Sequence, residues 1–298
     1  MADRFPHLSK KAAEQAVLSA EERIEIIRLG SWIPYQRAEE ILARMEDLLA
    51  HPKITRMPNM LLVGASNNGK TSILERFRTR HATKENETGE ESVVPVVSVE
   101  APGTPDVEDL YRRILDALFA PYRPSSPAKD KYHQITALFP RLGVRLLVID
   151  EIHHLIAGSL NRQREFRNAI KSLGNETQVC IVAAGIEDAF NAFNTDPQLS
   201  NRFVPEILPK WSLDGEFARL LKTLEHRTPL REPSNLADSA MAQKILWMSE
   251  GTIGDTSDLV KATAIAAIRQ GTERITVELL DKLGWVQPSL RSRRPPQL

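Results

Sequence analysis

The sequence predicts an α/β protein in which a parallel five-stranded sheet lies between helices, with a helical segment before it and an all-helical domain after it. Three observations predict this class. An apolar run, residues 61–63, enters a glycine-bracketed loop that ends in Lys70 and Thr71. Further apolar runs alternate with helical patterns as far as residue 209, and the pattern beyond residue 214 is purely helical. Strands that alternate with helices are typical of a parallel sheet covered on both faces.

The composition is that of a globular protein without a global charge. The 298 residues include 39 basic and 39 acidic side chains, which excludes a simple polycation and limits any nucleic-acid surface to a local patch. No apolar run approaches the roughly 18 residues of a membrane helix, and the stretch MADRFPHLSKKAAEQ lacks the apolar core of a secretory signal. The single cysteine, Cys180, offers neither a disulfide nor a cysteine zinc site. We therefore expect a reduced, cytoplasmic setting and no membrane partner.

Residues 1–50 are expected to form an N-terminal helical extension. Ser19 is placed as an N-cap with Glu22 three residues later, which is the pattern of a capping box. The stretch QRAEEILARMEDLL, residues 36–49, carries its apolar residues on one helical face.

The expected α/β core covers residues 51–212. Its second apolar run contains Pro95, which cannot donate a ladder hydrogen bond and therefore indicates an edge strand. Helices are expected between the strands, and the one at 161–174 is basic and amphipathic. The strands are predicted at the run ending with Val63 and at residues 93–100, 144–151, 179–185 and 202–209.

The remaining segments are interpreted from their composition. Residues 213–286 are expected to form a helical lid domain, and residues 287–298 a basic, disordered tail. The polar, turn-rich stretch at 79–92 is expected to be a mobile surface loop.

The loop after the first strand fits the pattern G-x-x-x-x-G-K-[ST] of a nucleotide-binding P-loop. Its glycines permit backbone angles and a close approach that a Cβ would forbid, and its N–H groups would bind phosphate oxygens at the start of a helix. Lys70 would reach the β- and γ-phosphates, and the Thr71 hydroxyl would ligate Mg²⁺. The expected nucleotide-binding residues of this stretch are Gly64, Ala65, Ser66, Asn67, Asn68, Gly69, Lys70, Thr71 and Ser72.

Two acids end the apolar run LLVIDE and complete a nucleotide site. In a P-loop fold Asp150 would hold Mg²⁺ through water beside Thr71, and Glu151 would orient and deprotonate the attacking water. The guanine signature N-K-x-D is absent from the sequence, so we expect ATP and Mg²⁺ as cofactors. His153 and His154 follow directly, but adjacent helical residues point about 100° apart, which favours structural or surface roles over a shared metal.

Arg202 follows the fourth predicted strand in the stretch PQLSNRF. An arginine at that position could reach the γ-phosphate of a neighbouring subunit as an arginine finger and take part in catalysis with Lys70 and Glu151. The alternative is an ordinary surface arginine.

Several stretches together carry a resemblance to a known family. YQRAEEILARMEDLL, RMPNMLLVGASNNGKTSILERF, LLVIDEIHHL, AAGIEDA and QLSNRF are similar to the TniB family of transposition ATPases, of the AAA+ class and akin to TnsC. The resemblance implies an AAA+ P-loop fold with a helical lid, assembly with ATP as a ring or filament on double-stranded DNA of largely any sequence, and recruitment of a partner transposase. It also implies that Tyr35 and Arg37 lie near the adenine.

Two positions depart from the pattern of many AAA+ proteins. The fourth strand ends in Ala183-Ala184-Gly185, without the polar residue, sensor 1, that touches the γ-phosphate or its water. Asp255 stands near the place where many relatives carry the sensor 2 arginine. Both departures favour a slow ATPase whose bound ATP sets its assembly state.

The DNA-contacting residues are less well defined by the sequence. The loops at the sheet edge and their neighbouring helices face the central channel in ring-forming AAA+ proteins, which favours the cations between the second and third strands. The favoured candidates are Arg112, Arg113, Lys129 and Lys131. The basic helix and the tail stay open as alternatives, with Arg162, Arg164, Arg167, Lys171, Arg291, Arg293 and Arg294.

Two other functions share the same nucleotide-binding core. One is a helicase loader that acts as a replication accessory, and the other is a signalling switch of the NTPase type that binds nucleotide without DNA. Rings or filaments around DNA in the presence of ATP would support the transposition regulator over the switch.

Overall fold

A computed structural model describes residues 4–83, 92–194 and 200–291 of the chain. The chain forms two compact units. The core unit comprises residues 36–65 and 70–208, and the lid unit comprises residues 1–35, 66–69 and 209–298. Within the described ranges, no helix combines the length and the apolar character that crossing a membrane requires.

The core unit contains the predicted parallel sheet of five strands in the order β2-β3-β4-β1-β5, and every neighbouring pair is parallel. The α/β fold class predicted from the sequence is therefore confirmed. β2 lies at an edge, as Pro95 indicates. The strands are β1 (Asn59–Gly64), β2 (Val96–Glu100), β3 (Leu146–Asp150), β4 (Cys180–Gly185) and β5 (Phe203–Leu208).

Helices cover both faces of the sheet. α4 packs on β1, β2 and β4, while leucine, isoleucine and phenylalanine side chains of α5, α6 and α7 join one apolar core with alternate strand residues. The helices of the core unit are α3 (Gln36–Ala50), α4 (Lys70–Arg80), α5 (Val107–Ala117), α6 (Ala128–Arg141), α7 (Leu160–Thr177) and α8 (Glu187–Asn194), with a 3₁₀ turn at Ile152–Ile156.

Asn59 fixes the register at the start of β1. Its side-chain oxygen accepts a hydrogen bond from the backbone N–H of Ile181 on β4 at 2.8 Å, and its own N–H donates to the Arg202 carbonyl at 3.0 Å. Because Asn59 is 8% exposed, an unpaired amide there would carry a desolvation cost. The start of β1 is thus tied to both of its neighbours, which places the loop that follows Gly64.

The lid unit consists of helices and the turns and loops that join them, and its described residues include no strand. A leucine-rich core joins its helices, and the predicted capping box of Ser19 and Glu22 is present at the start of α2. The Arg23 guanidinium, 2% exposed, makes two 2.7 Å hydrogen bonds to Glu273. Its helices are α1 (Lys10–Ala16), α2 (Ala20–Leu29), α9 (Gly215–Arg227), α10 (Ser239–Ser249), α11 (Ile253–Gln270), α12 (Val277–Lys282) and α13 (Pro288–Arg291).

The two units do not follow the linear boundaries predicted from the sequence. α3, predicted within the N-terminal extension, belongs to the core unit, and residues 66–69 of the phosphate loop group with the lid unit. Residues 288–291, predicted as part of a disordered tail, form a helical turn. Residues 292–298 of the predicted tail lie outside the described residues, as do residues 84–91 of the predicted mobile loop.

Candidate functional site

The phosphate loop leaves β1 at Gly64, where there is little room for a side chain. A Cβ on Gly64 would lie 3.0 Å from the Cβ of Leu208 and 3.2 Å from its carbonyl oxygen, so any larger residue there would crowd the neighbouring strand. At the other end of the loop Gly69 has φ +87°, a conformation that glycine adopts without steric cost. α4 begins directly afterwards at Lys70, with Thr71 and Ser72 exposed in its first turn.

The Lys70 ammonium lies over the beginning of its own loop. It donates hydrogen bonds to the carbonyl oxygens of Gly64 and Ala65, each at 2.9 Å, and its residue is 6% exposed. Burial lowers the pKa of the Lys70 ammonium, and the nearby carboxylates of Glu151 and Asp150 oppose that shift. A buried cation held by two neutral carbonyls is a favourable partner for an incoming anion.

Thr71 and Asp150 meet as the sequence predicted for an Mg²⁺ site. The Thr71 hydroxyl donates to Oδ2 of Asp150 at 2.7 Å, while Oδ1 of Asp150 accepts from the backbone N–H of Glu151 at 2.8 Å. Hydroxyl and carboxylate oxygens are the ligands that Mg²⁺ prefers. The residues present therefore fit a magnesium ion, which Thr71 and Asp150 would hold directly or through water.

Glu151 has an unusual backbone for a non-glycine residue. Its φ is +53°. A non-glycine residue keeps such a left-handed backbone only where the surrounding structure holds it, and residues of this kind are frequent at functional sites. One carboxylate oxygen lies 3.0 Å from Nδ1 of His153. The expected general base thus stands beside a histidine that the sequence favoured only for a structural or surface role.

The end of β4 is apolar, as the sequence indicated. Cys180 to Gly185 are all buried, and a Cβ on Gly185 would lie 2.9 Å from the Cβ of Ala189. The three residues Ala183, Ala184 and Gly185 bring no polar side chain to this end of the sheet.

Arg202 lies at the opposite end of the sheet from the phosphate loop. It precedes β5, whose register pairs Phe203 with Asn59 and Leu208 with Gly64. Its guanidinium donates to the side chain of Asn175 at 2.7 Å. Since a full strand separates Arg202 from Gly64, Arg202 cannot contact a phosphate held by the loop of its own chain.

Tyr35 and Arg37, expected near an adenine, have distinct surroundings. In the lid unit, the Tyr35 ring lies edge-on to Trp211 with centroids 5.3 Å apart, and its hydroxyl is 3.7 Å from the place of a Cβ on Gly69. In the core unit, the Arg37 guanidinium donates to the Ile207 carbonyl at 2.9 Å and to Glu206 at 2.8 Å. Arg37 therefore ties α3 to β5.

The tip of the phosphate loop contacts the first turn of α11 within the lid unit. The Asn67 carbonyl accepts from the N–H of Gly254 at 2.9 Å, and the Asn68 side chain accepts from the N–H of Ile253 at 3.3 Å. Asn67 has φ +56°. Asp255, in the same turn, is 2% exposed and forms a 2.7 Å ion pair with Arg291.

The four cations proposed for DNA contact differ in their availability. Lys129 is exposed, and Arg112 and Arg113 share the carboxylate of Asp109 at 3.0 Å each. The prediction for Lys131 is wrong: it is 1% exposed, and its ammonium donates to Glu108 and to the carbonyl of Ser126. That ammonium stabilises the α5–α6 connection and is not accessible to a phosphate.

Two of these features were not predicted from the sequence. The Arg291–Asp255 pair joins residues 36 positions apart, and Arg291 stood in a stretch interpreted as disordered. The contact of His153 with Glu151 had a local signal, because the two residues are separated by one position only.

The parallel order β2-β3-β4-β1-β5, the glycine loop before α4 and the acids at the end of β3 define an α/β P-loop fold of the AAA+ class. Within that class the match to a family is specific. Residues 23–213 match the family model described as "Bacterial TniB protein", and the chain belongs to the TniB family.

Solved structures support the fold. The ORC2 protein of Aeropyrum pernix in its ADPNP–ADP complexes is 16% identical with a TM-score of 0.63, covering 85% of this chain and 69% of that one. Cdc6p of Pyrobaculum aerophilum is 17% identical with a TM-score of 0.58, covering 85% and 68%. Drosophila ORC bound to DNA is 16% identical with a TM-score of 0.57, covering 92% and 66%. No curated protein matches the chain.

Proposed function

We propose that this protein is an ATP-dependent regulator of DNA transposition that binds and hydrolyses ATP with Mg²⁺, assembles on double-stranded DNA and recruits a partner transposase. The observation that carries the proposal is the 2.7 Å contact between the Thr71 hydroxyl and Asp150, which joins the two halves of a nucleotide site in a member of the TniB family. The transposase partner rests on family membership.

The nucleotide chemistry follows from the side chains at the end of the sheet. When a triphosphate enters, the Lys70 ammonium exchanges the Gly64 and Ala65 carbonyls for phosphate oxygens, which are stronger acceptors because they are charged. Mg²⁺, when bound beside Thr71 and Asp150, supplies charge neutralisation for the developing phosphate oxygens. Glu151 accepts the proton of the water that attacks the γ-phosphorus, and ADP leaves with the bridging oxygen.

Two features support slow turnover. The apolar end of β4 offers no polar side chain to hold the attacking water, and the His153 ring lies 3.0 Å from one of the two Glu151 carboxylate oxygens, where it restricts the approach of water to that oxygen. An enzyme with these features keeps ATP long enough for the bound nucleotide to govern assembly. ATP-bound subunits would persist on DNA, and hydrolysis would release them.

Assembly and DNA contact use other parts of the core unit. Arg202, one strand length from its own phosphate loop, would complete the site of a neighbouring subunit. Lys129, with Arg112 and Arg113, would contact the phosphate backbone without reading bases. Three cations per subunit would contact phosphates, so the affinity for DNA should weaken as the salt concentration rises. Lys129→Ala should reduce the slope of log K against log salt concentration by about 0.9 for each phosphate contact that is lost.

Electron microscopy with ATP and duplex DNA tests this function. We expect rings or filaments on DNA with the wild type and with Lys53→Ala, an exposed lysine of the core unit, and none with Lys70→Ala. Titration with a fluorescent ATP analogue should show nucleotide binding by the first two proteins only. Nucleotide binding by the wild type without any DNA complex would support the signalling switch instead. Normal assembly of Lys70→Ala would show that Lys70 is not the phosphate lysine.

A further inference from the structure

The C-terminal segment of the lid unit is held to the end of α10. The Trp285 indole donates to the carbonyl of Met248 at 3.0 Å, and the Ser289 hydroxyl donates to Glu250 at 2.6 Å. Arg291 lies 5.0 Å from the centre of the Trp285 ring. These contacts place the Arg291 guanidinium beside the first turn of α11.

Asp255 receives that guanidinium at a position almost closed to solvent. The Arg291 Nη1 lies 2.7 Å from Oδ1 of Asp255, and the Thr252 hydroxyl donates to Oδ2 at 2.6 Å. Burial alone would raise the pKa of the Asp255 carboxyl, but hydrogen bonds from Thr252, Arg291 and Asn67 outweigh it and hold the pKa below its usual range. Asp255 is therefore an ionised, buried acceptor with three donors.

The third donor, Asn67, belongs to the phosphate loop. Its backbone is left-handed, and its carbonyl accepts from Gly254 at 2.9 Å. A side chain on Gly254 would overlap Asn67, so the fit between this loop residue and α11 is close. A non-glycine residue in this conformation is retained when its surroundings fix it, and here those surroundings include the Asp255 carboxylate.

We propose that Arg291 is a positioning residue for nucleotide binding: through Asp255 it holds Asn67, and so the tip of the phosphate loop, in the conformation that binds phosphate. Arg291 touches neither nucleotide nor metal in this role. The inference rests on the proposed nucleotide binding. In this chain Asp255 stands near the position of the sensor 2 arginine of many AAA+ proteins, and the C-terminal segment brings the Arg291 cation to that position. This role also makes the affinity for nucleotide depend on whether that segment is docked.

The physical reason lies in the burial of Asp255. Without the Arg291 guanidinium, whose side chain is 45% exposed where it covers Asp255, the carboxylate keeps two neutral donors and no cation. A buried charge that loses its partner reorganises its surroundings or takes up a proton. Either response withdraws the acceptor from Asn67. Lysine at position 291 would restore the charge and a single hydrogen bond, which is all that the observed contact uses.

The test is the affinity for a fluorescent ADP analogue, measured with thermal unfolding of the same samples. We expect Arg291→Gln to bind at least about 10-fold more weakly than the wild type, Arg291→Lys to recover most of the loss, and Arg269→Gln, at an exposed position of α11, to bind normally. In an Asn67→Ala background, Arg291→Gln should have no further effect, because the group that it positions is gone.

Two results would overturn the proposal. One is wild-type affinity, within about 2-fold, in a folded Arg291→Gln protein. The other is an equal loss of affinity on Arg291→Gln in the presence and in the absence of the Asn67 side chain, which would show an effect on the lid unit that bypasses the loop. A wild type that binds no ADP would instead refute the proposed nucleotide function, and that outcome is separate because it precedes any comparison of variants.

Discussion

Replacing Arg202 with alanine separates an arginine that acts on a neighbouring subunit from one that acts on its own site. Leu208 of β5 pairs with Gly64 and lies six residues after Arg202. At about 3.3 Å per residue, Arg202 and Gly64 are therefore about 20 Å apart. At that distance a unit charge contributes about 0.2 kcal/mol in water, and salt screens most of it. The monomer's own affinity for ATP should therefore change by less than about 1.5-fold.

The same substitution should remove far more from an assembled protein. A finger supplied in trans is worth about 10³- to 10⁵-fold in turnover, so DNA-stimulated ATP hydrolysis by Arg202→Ala should fall to the level without DNA. Steady-state phosphate release with and without duplex DNA measures this. Arg44→Ala, at an exposed position of α3, is the control and should keep its DNA stimulation.

Mixing Arg202→Ala with Lys70→Ala sharpens the result. The first variant keeps a nucleotide site and lacks a finger, while the second keeps a finger and lacks the phosphate lysine. Interfaces of one orientation then contain both parts, so part of the activity should return in the mixture although each variant alone is inactive. Full DNA-stimulated hydrolysis by Arg202→Ala alone would refute the reasoning and leave Arg202 as a surface arginine.

Three further outcomes are expected. Glu151→Gln keeps the shape of the side chain and removes its basicity, so ATP should still bind while steady-state turnover falls at least ~100-fold; unchanged turnover would assign the base elsewhere. Burial lowers the pKa of Lys70 from 10.5, so the affinity of the wild type for ADP should fall as alkaline pH removes the ammonium proton. The affinity of Lys70→Arg should depend less on pH between about pH 7 and pH 10, because arginine stays protonated. Equal slopes of affinity against pH for the two proteins would exclude Lys70 as the titrating group. Glu273→Ala removes the carboxylate partner of the buried Arg23 and should lower the free energy of unfolding in urea by about 3–5 kcal/mol, whereas Glu25→Ala, at an exposed position of α2, should change it by less than about 0.5 kcal/mol.

The parts of the fold that sequence reasoning predicted are those with local causes. The strands are short apolar runs bounded by turn residues, and their parallel direction follows from the helices between them. The strand–loop–helix arrangement at Gly64 to Lys70 was predictable because glycine and lysine at that spacing are specific for it. The position of Asp150 beside Thr71 was predictable because the acid follows a buried apolar strand of the same sheet.

The parts that were not predictable depend on distant residues. Lys131 resembles an exposed cation in the sequence, but Glu108, 23 positions away, and nearby carbonyls bury its ammonium. Arg291 looks like part of a basic tail, and only the folded lid unit brings it to Asp255. Charged side chains are the least predictable because their environment is set by tertiary contacts rather than by local periodicity.

The position of Arg202 at one end of the β1–β5 pair, and of Gly64 at the other, has a consequence for any assembly built through them. Copies that join by placing one arginine at the next copy's loop can only follow one another head to tail, so an open chain of subunits has two chemically different ends. One terminal subunit holds a nucleotide that no neighbour can reach, and the other presents an arginine without a target. An open assembly therefore has one fewer complete site than it has subunits, while a closed ring has equal numbers. The rate of hydrolysis per subunit should rise with the number of subunits in an open assembly toward a plateau. A protein that binds one end of the assembly contacts a surface that the other end does not have.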